Sequence, residues 1–291
     1  MLKKINWRFV FTCFAWVFSL SALFALMGFI EVKKAEATCK NVQVVLPGNQ
    51  FFIERAEIDE ILKENNGLLV GRRINNINIQ DLEDRLKANP FIEYAKVYID
   101  MNGVIHTDVK QRVPVLRVLN MAGQDFYVDR NGLKVPLSDH FTARVLVANG
   151  LIMEGFAGKV DTLRTKLAKD LFLTAKFISQ DSLWNDQIVQ LYVNDDKDME
   201  LVPRVGDQKI ILGNADLLAE KFRNLLVFYK KAIPMVGWEA YTAVNLKFKD
   251  QIVCTRSDST LVKKKPVEIQ PDSIQQEQQN SEIQDSIKNI R

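Results

Sequence analysis

The chain has 291 residues, with 39 Lys and Arg against 36 Asp and Glu, so its formal net charge is only +3. Charge this balanced leaves no electrostatic footprint for nucleic acid, and no basic stripe with interleaved aromatics is present. Two histidines and three cysteines offer little for a metal site or a disulfide framework.

Residues 1–8 form a short head carrying Lys3, Lys4 and Arg8. Phe9 to Ile30 then runs without a charged side chain. A helix of that length spans roughly 33 Å, enough for a hydrocarbon core of about 30 Å. Trp7, Phe9 and Trp16 put aromatics near its start, where an interfacial belt sits. The run predicts a single transmembrane helix, with the head cytoplasmic and the remainder exported. Lys33, Lys34 and Lys40 follow closely and blur the positive-inside bias, so orientation rests on the shortness of the head. The competing reading is a cleavable signal ending at Ala35-Glu36-Ala37. The apolar run is longer than the roughly 7–15 residues of a signal.

Residues 31–40 read as a polar juxtamembrane linker, and residues 41–113 as a compact unit. Val42, Val44 and Leu46 alternate as a strand that ends at Pro47-Gly48-Asn49. Ile58, Ile61 and Leu62 recur at helical spacing, and so do Ile79, Leu82 and Leu86. Asn89-Pro90 stops the second helix, because proline disfavours helical geometry in the residue before it. Ala95, Val97 and Ile99, then Ile105, Thr107 and Val109, mark two strands joined by Met101-Asn102-Gly103, where Asn-Gly supplies the positive φ of a tight turn. The predicted order is strand, helix, helix, strand, strand.

Residues 114–256 have a different texture. Short strands are expected at Val115–Leu119, Phe126–Val128, Leu133–Val135, Val145–Val147, Ile188–Val193 and Met199–Val202. Amphipathic helices are expected over about Thr162–Ser179 and Ala215–Lys231, and a last strand pair at Ala243–Phe248 and Gln251–Thr255 turning at Lys249-Asp250. The fold class is therefore α+β around a mostly antiparallel sheet. Residues 257–291 contain no aromatic residue and read as a disordered tail, with too little apolar surface to offset ordering entropy.

No constellation supplies an acid, a base and an oxyanion stabiliser together, so no catalytic, cofactor-binding or metal-binding residue is assigned. His106 lies on the polar face of a strand and His140 in a loop, neither near a spaced cluster of ligands. Asp195, Asp196, Asp198 and Glu200 suggest calcium at first sight. Counted from Asp196, however, the sixth position of a calcium loop is Leu201 instead of glycine, which leaves a solvated hairpin turn. Gly67 to Arg73 lacks the Gly-Lys-Ser/Thr ending of a phosphate loop. Cys39 and Cys254 are far apart in sequence, and two unpaired thiols is the simpler reading.

The run Asp81-Leu82-Glu83-Asp84-Arg85-Leu86-Lys87-Ala88-Asn89-Pro90-Phe91-Ile92-Glu93-Tyr94-Ala95-Lys96-Val97 resembles the core of POTRA domains. Val109-Lys110-Gln111-Arg112-Val113-Pro114-Val115 is similar to the strand exit toward Glu-Arg-x-Pro-Val of the bacterial FtsQ/DivIB cell-division family, with Gln111 in place of the usual glutamate. Phe126 to Gly132 is similar to that family's aromatic-Asp-x-x-Gly hairpin, and Ile211-Leu212-Gly213 to its Leu-Gly-then-helix step. Val244-Asn245-Leu246-Lys247-Phe248 resembles its closing Asp-Leu-Arg-Tyr strand, with Asn, Lys and Phe substituted.

The resemblance covers roughly residues 1–256 in order. It implies a non-enzymatic bitopic scaffold of the divisome in the inner membrane at the division septum. Such a protein would link early division proteins, FtsK-like ones among them, to FtsB- and FtsL-like partners and to the septal peptidoglycan synthases. It also implies a partner-binding edge at the closing strands, on or beside Leu246, Lys247, Phe248, Ile252, Cys254 and Arg256. An exposed edge can take another chain's strand by main-chain hydrogen bonds. The alternative is a POTRA protein of polypeptide transport or outer-membrane assembly. Such proteins usually carry tandem POTRA units and a C-terminal barrel, and this sequence shows one unit and a polar tail.

Overall fold

The computed structural model describes residues 11–12, 14–25, 37–48, 52–63 and 67–257. Residues 11–12 and 14–25 are helical, with their large apolar side chains exposed. The rest of the predicted span at 9–30 lies outside the described residues, as do the basic head and the predicted tail from residue 258. Among the described residues no helix is long and apolar enough to cross a membrane.

The first folded unit contains β1 (Asn41–Val45), α1 (Arg55–Leu62), a 3-10 turn at Ile74–Asn76, α2 (Ile79–Ala88), β2 (Ile92–Ile99) and β3 (Val104–Gln111). The sheet order is β1-β3-β2, with β1 parallel and β2 antiparallel to β3. Along the two long strands Ala95, Val97, Ile105 and Val109 are buried, and they meet Ile58, Leu62, Leu82 and Leu86 from the helices. Burying a leucine of this kind stabilises by about 1.5–3 kcal/mol.

Helix α2 begins where the Asn78 side chain accepts the Asp81 N–H, and ends at Asn89 before Pro90. Its buried Glu83 fixes it to β2. The carboxylate accepts the Val97 N–H at 2.9 Å and pairs with Lys96 and Lys87 at 3.0 and 3.1 Å. The Val97 N–H first, and then Lys96, hold its pKa down at about 2.

The second unit is a ten-stranded sheet in the order β13-β12-β11-β10-β9-β7-β4-β5-β6-β8. Its strands are β4 (Pro114–Val118), β5 (Phe126–Asp129), β6 (Leu133–Val135), β7 (Leu146–Gly150), β8 (Asp161–Thr162), β9 (Ile188–Val193), β10 (Met199–Pro203), β11 (Lys209–Gly213), β12 (Tyr241–Asn245) and β13 (Val253–Arg256). The β4–β7, β7–β9 and β11–β12 pairs are parallel and the others antiparallel. Helices α3 (Lys166–Ser179), α4 (Ser182–Gln187), α5 (Leu218–Lys231) and the short α6 (Ile233–Val236) complete the unit. Leu171, Ile178, Trp184, Phe222 and Leu225 share one core with the inward side chains of the central strands.

Local chemistry moves several boundaries from their expected places. Helix α3 starts at Lys166 instead of Thr162, because Thr165 is its cap and accepts the Ala168 N–H. Asp161 and Thr162 pair with β6. Strand β12 stops at Asn245 instead of Phe248, where the Asn245 side chain accepts the Lys247 N–H at 2.9 Å and turns the chain. Strand β11 and helix α4 were not expected from the sequence.

A buried ion pair closes the β6 end of the sheet. Lys134 and Glu154 have no exposed side-chain surface and meet at 2.9 Å. Lys134 also donates to the Gly155 carbonyl, while Glu154 accepts from the Arg164 and Thr165 N–H groups and the Thr165 hydroxyl. Burial alone would raise the Glu154 pKa, but these hydrogen bonds hold it at about 2.

The two units meet at a dense junction. The buried Gln111 side chain accepts the Phe52 and Ile53 N–H groups and donates to the Ile53 carbonyl at 3.4 Å. A glutamate here could accept both N–H groups, and the amide adds the donor. Arg112 donates to the Pro90 carbonyl at 3.0 Å and to Asp129 at 2.7 Å. The other oxygen of Asp129 accepts from Asn131 and Leu133, shaping the Asp129–Gly132 hairpin. Phe52 of the first unit stacks on Phe91 and meets Tyr127 and Phe141 of the second edge-on, at centroid distances of 4.9 to 5.6 Å.

Candidate protein-binding edge

Among the described residues, strand β13 is the terminal strand of the large sheet, paired on one side only, with β12. Its register places Cys254 opposite Val244 and Arg256 opposite Tyr241. The Ser257 N–H donates to the Ala240 carbonyl, and the Thr255 carbonyl faces the Thr242 hydroxyl. In an antiparallel ladder these directions alternate, so the main-chain groups of Cys254 and Arg256 point outward from the sheet. The extra residue that breaks the regular pairing lies in β12, between Tyr241 and Ala243, and leaves β13 regular.

The six residues singled out from the sequence fall into three positions. Leu246 is buried at 2% exposure in the shared core, and its N–H donates to the Ile211 carbonyl, so it supports the edge from beneath. Ile252 and Cys254 are half-buried and pack against that core. Burial pushes the Cys254 thiol pKa up, away from thiolate reactivity, and both Cys39 and Cys254 are free thiols. Lys247, Phe248 and Arg256 are exposed. Sequence reasoning missed Val253 and Thr255, whose side chains are exposed on the same strand, and Val227 of α5. Val227, Phe228, Lys231 and Ile252 line a groove of about 290 Å³ between α5 and the hairpin. The alternation of apolar residues in 251–255 pointed to β13, but a helix on its flank leaves no local signal.

Lys247 is held in place. Its ammonium donates to Asp198 at 2.6 Å, across to the β9–β10 turn. Gly213, at φ +80°, makes this possible, because a Cβ there would lie 2.8 Å from Lys247 Cγ. The Leu212-Gly213 step is thus a seat for the Lys247 side chain. Beside it, Lys221 donates to the Leu212 and Asn214 carbonyls and to the Asn214 side chain. Burial first lowers the Lys221 pKa, and burial raises that of nearby Asp170. His106 stacks on Tyr98 and lies 3.3 Å from Asp100, while His140 is exposed. Among the described residues, no group of His, Cys, Asp and Glu is arranged to hold a metal ion.

Comparison with known families agrees with this layout. A profile described as a POTRA-like domain matches residues 37–110, which take in the three-stranded unit up to Lys110. A second, described as FtsQ/DivIB, C-terminal related, matches residues 113–255, from the junction into β13. No curated protein matches the chain in direct sequence comparison. The two profiles follow one another with only residues 111 and 112 between them, and together they support an FtsQ/DivIB-family protein of cell division with a POTRA-like domain.

Proposed function

We propose that the chain is a non-enzymatic, single-pass membrane scaffold of the divisome whose β13 edge captures a strand of an FtsB-like partner. The observation that carries this reading is the open edge itself. Main-chain donors and acceptors of Cys254 and Arg256 face outward, and Lys247 and Phe248 stand at one end of the same hairpin. An added strand would gain affinity from the main chain and specificity from the flanking side chains. Through that partner the scaffold would connect FtsL-like proteins and the septal peptidoglycan synthases to early division proteins. The Phe9–Ile30 run is the proposed inner-membrane anchor, with the folded units periplasmic.

The test is a mild-detergent pull-down of the full-length protein from growing cells, with partners identified by mass spectrometry. Small single-span coiled-coil proteins and septal wall synthases are the expected partners. The Lys247→Glu, Phe248→Ala double variant is expected to lose them while keeping its fold. Unchanged capture by that variant would remove this edge from consideration. Outer-membrane barrels or secretion components in place of division proteins would favour the transport alternative.

A further inference from the structure

We infer that the exposed patch formed by Met235, Val236 and Trp238 continues the β13 edge. It takes an apolar segment, bordered by acidic residues, of the same partner whose strand adds to β13. This inference rests on the edge reading proposed above. Met235 is 82% exposed, Val236 47% and Trp238 40%, within four consecutive residues. Contiguous apolar surface of this kind marks interaction sites on soluble domains.

The patch is held in a defined conformation. Its backbone is fixed by the Gly237 N–H, which donates to the Ile233 carbonyl at 2.8 Å, and Ile233 is buried. The Trp238 ring rests 5.5 Å from the Tyr229 ring, which joins it to the α5 aromatic cluster. An anchor that is already ordered loses little conformational freedom on binding.

Continuity with the edge identifies the occupant. The Ser257 N–H donates to the Ala240 carbonyl, so the last rung of the β12–β13 ladder lies two residues from Trp238. Strand β13 has only four residues, so it spans about 13 Å. Strands commonly run to about five or six residues. A partner strand of that length overruns β13, and at the Arg256 end of the ladder the neighbouring chain leads back through Ala240 to Trp238. Lys230 and Lys231 close the helix that leads into the patch, Arg256 pairs with Tyr241 three residues past Trp238, and residues 230–240 hold a single carboxylate, Glu239. That excess of positive charge favours an apolar segment with acidic neighbours.

The test is site-specific photo-cross-linking in the full-length protein in growing cells, with a benzoylphenylalanine placed at Thr255 on the edge or at Met235 on the patch. Both probes are expected to capture the same polypeptide, with the two adducts mapping to adjacent segments of its sequence. Capture at Met235 of lipid, of a second copy of this chain, of its own residues 258–291 or of a different protein overturns the inference when Thr255 still captures its partner. So does the absence of any adduct at Met235. Failure at Thr255 removes the edge reading, and this inference with it. As a second measurement, Met235→Ser with Trp238→Ala is expected to weaken capture roughly tenfold or more, as loss of an aromatic anchor does. Met235 is 82% exposed but Trp238 leans on Tyr229, so capture is compared well below the variant's own thermal midpoint, and unchanged capture would again overturn the inference.

Discussion

Replacing Glu154 with glutamine tests whether the Lys134 pair is a keystone of the large sheet. In the native protein both side chains are fully buried, and four donors converge on the carboxylate: Lys134, the Arg164 and Thr165 N–H groups and the Thr165 hydroxyl. Glutamine keeps the shape but removes the charge and turns one acceptor into a donor. Breaking a buried pair costs about 3–5 kcal/mol. Asp161, 3.5 Å from Lys134, compensates part of the lost charge. A donor facing the new amide adds about 1–3 kcal/mol. The expected net loss is about 4 kcal/mol.

Urea unfolding followed through Trp184 fluorescence would read this loss, because Trp184 is buried in the same core. Replacing both partners together, Lys134→Met with Glu154→Leu, should cost less than Glu154→Gln alone, since no buried charge is then left unpaired. The native pair should also shape the acid limb. The pKa of Glu154 is lowered from the ordinary 4.5 to about 2. Its contribution is therefore complete above pH 4.5 and disappears as pH falls from there through about 2. A loss below about 1 kcal/mol for Glu154→Gln, with an unchanged acid limb, would refute the reasoning.

Three further outcomes follow from the geometry. Gly213→Ala must place a Cβ at φ +80° against Lys247, so thermal denaturation should show a loss of about 1–2 kcal/mol and partner capture should fall with it. Phe52→Ala removes the ring that bridges Phe91, Tyr127 and Phe141, and should cost about 3–5 kcal/mol and broaden the spread of inter-unit distances measured by spin labelling. Cys254→Pro deletes an outward N–H that the sheet does not use, so it should abolish strand capture in the pull-down, while Cys254→Ala, which keeps that N–H, should retain it.

Signals carried by neighbouring residues were legible in the sequence. Asn89-Pro90 ends α2 and Asn102-Gly103 turns β2 into β3, because each acts through its own backbone preference. The closing hairpin was legible from the alternation around Lys249-Asp250. Contacts between distant segments were not. Nothing near Lys134 says that a lysine in a three-residue strand is buried, since its partner is twenty residues away. Strand β11 was missed although it pairs with β10 just before it, because Ile210-Ile211-Leu212 is a continuous apolar run without the alternation that marks a half-buried strand. The site suffered in the same way. Alternation located β13, but the burial of Leu246 depends on the helices that cover it. Arg112 and Asp129 each belong to a recognisable motif, and only the fold brings the two motifs into contact.

The junction around Phe52, Gln111 and Arg112 has a geometric consequence. Because the POTRA-like unit is clamped to the sheet by rings, an amide and an ion pair, the two act as a single bracket. A protein docked on the first arm would face the β13 rim at a set distance and bearing. Bivalent engagement then depends on whether a partner assembly matches that span, because a rigid spacer of the wrong length forbids the second contact. Under the scaffold reading proposed above, such a bracket would act as a ruler as well as a tether, and loosening the clamp would blur its graduations while leaving the surface of each unit intact.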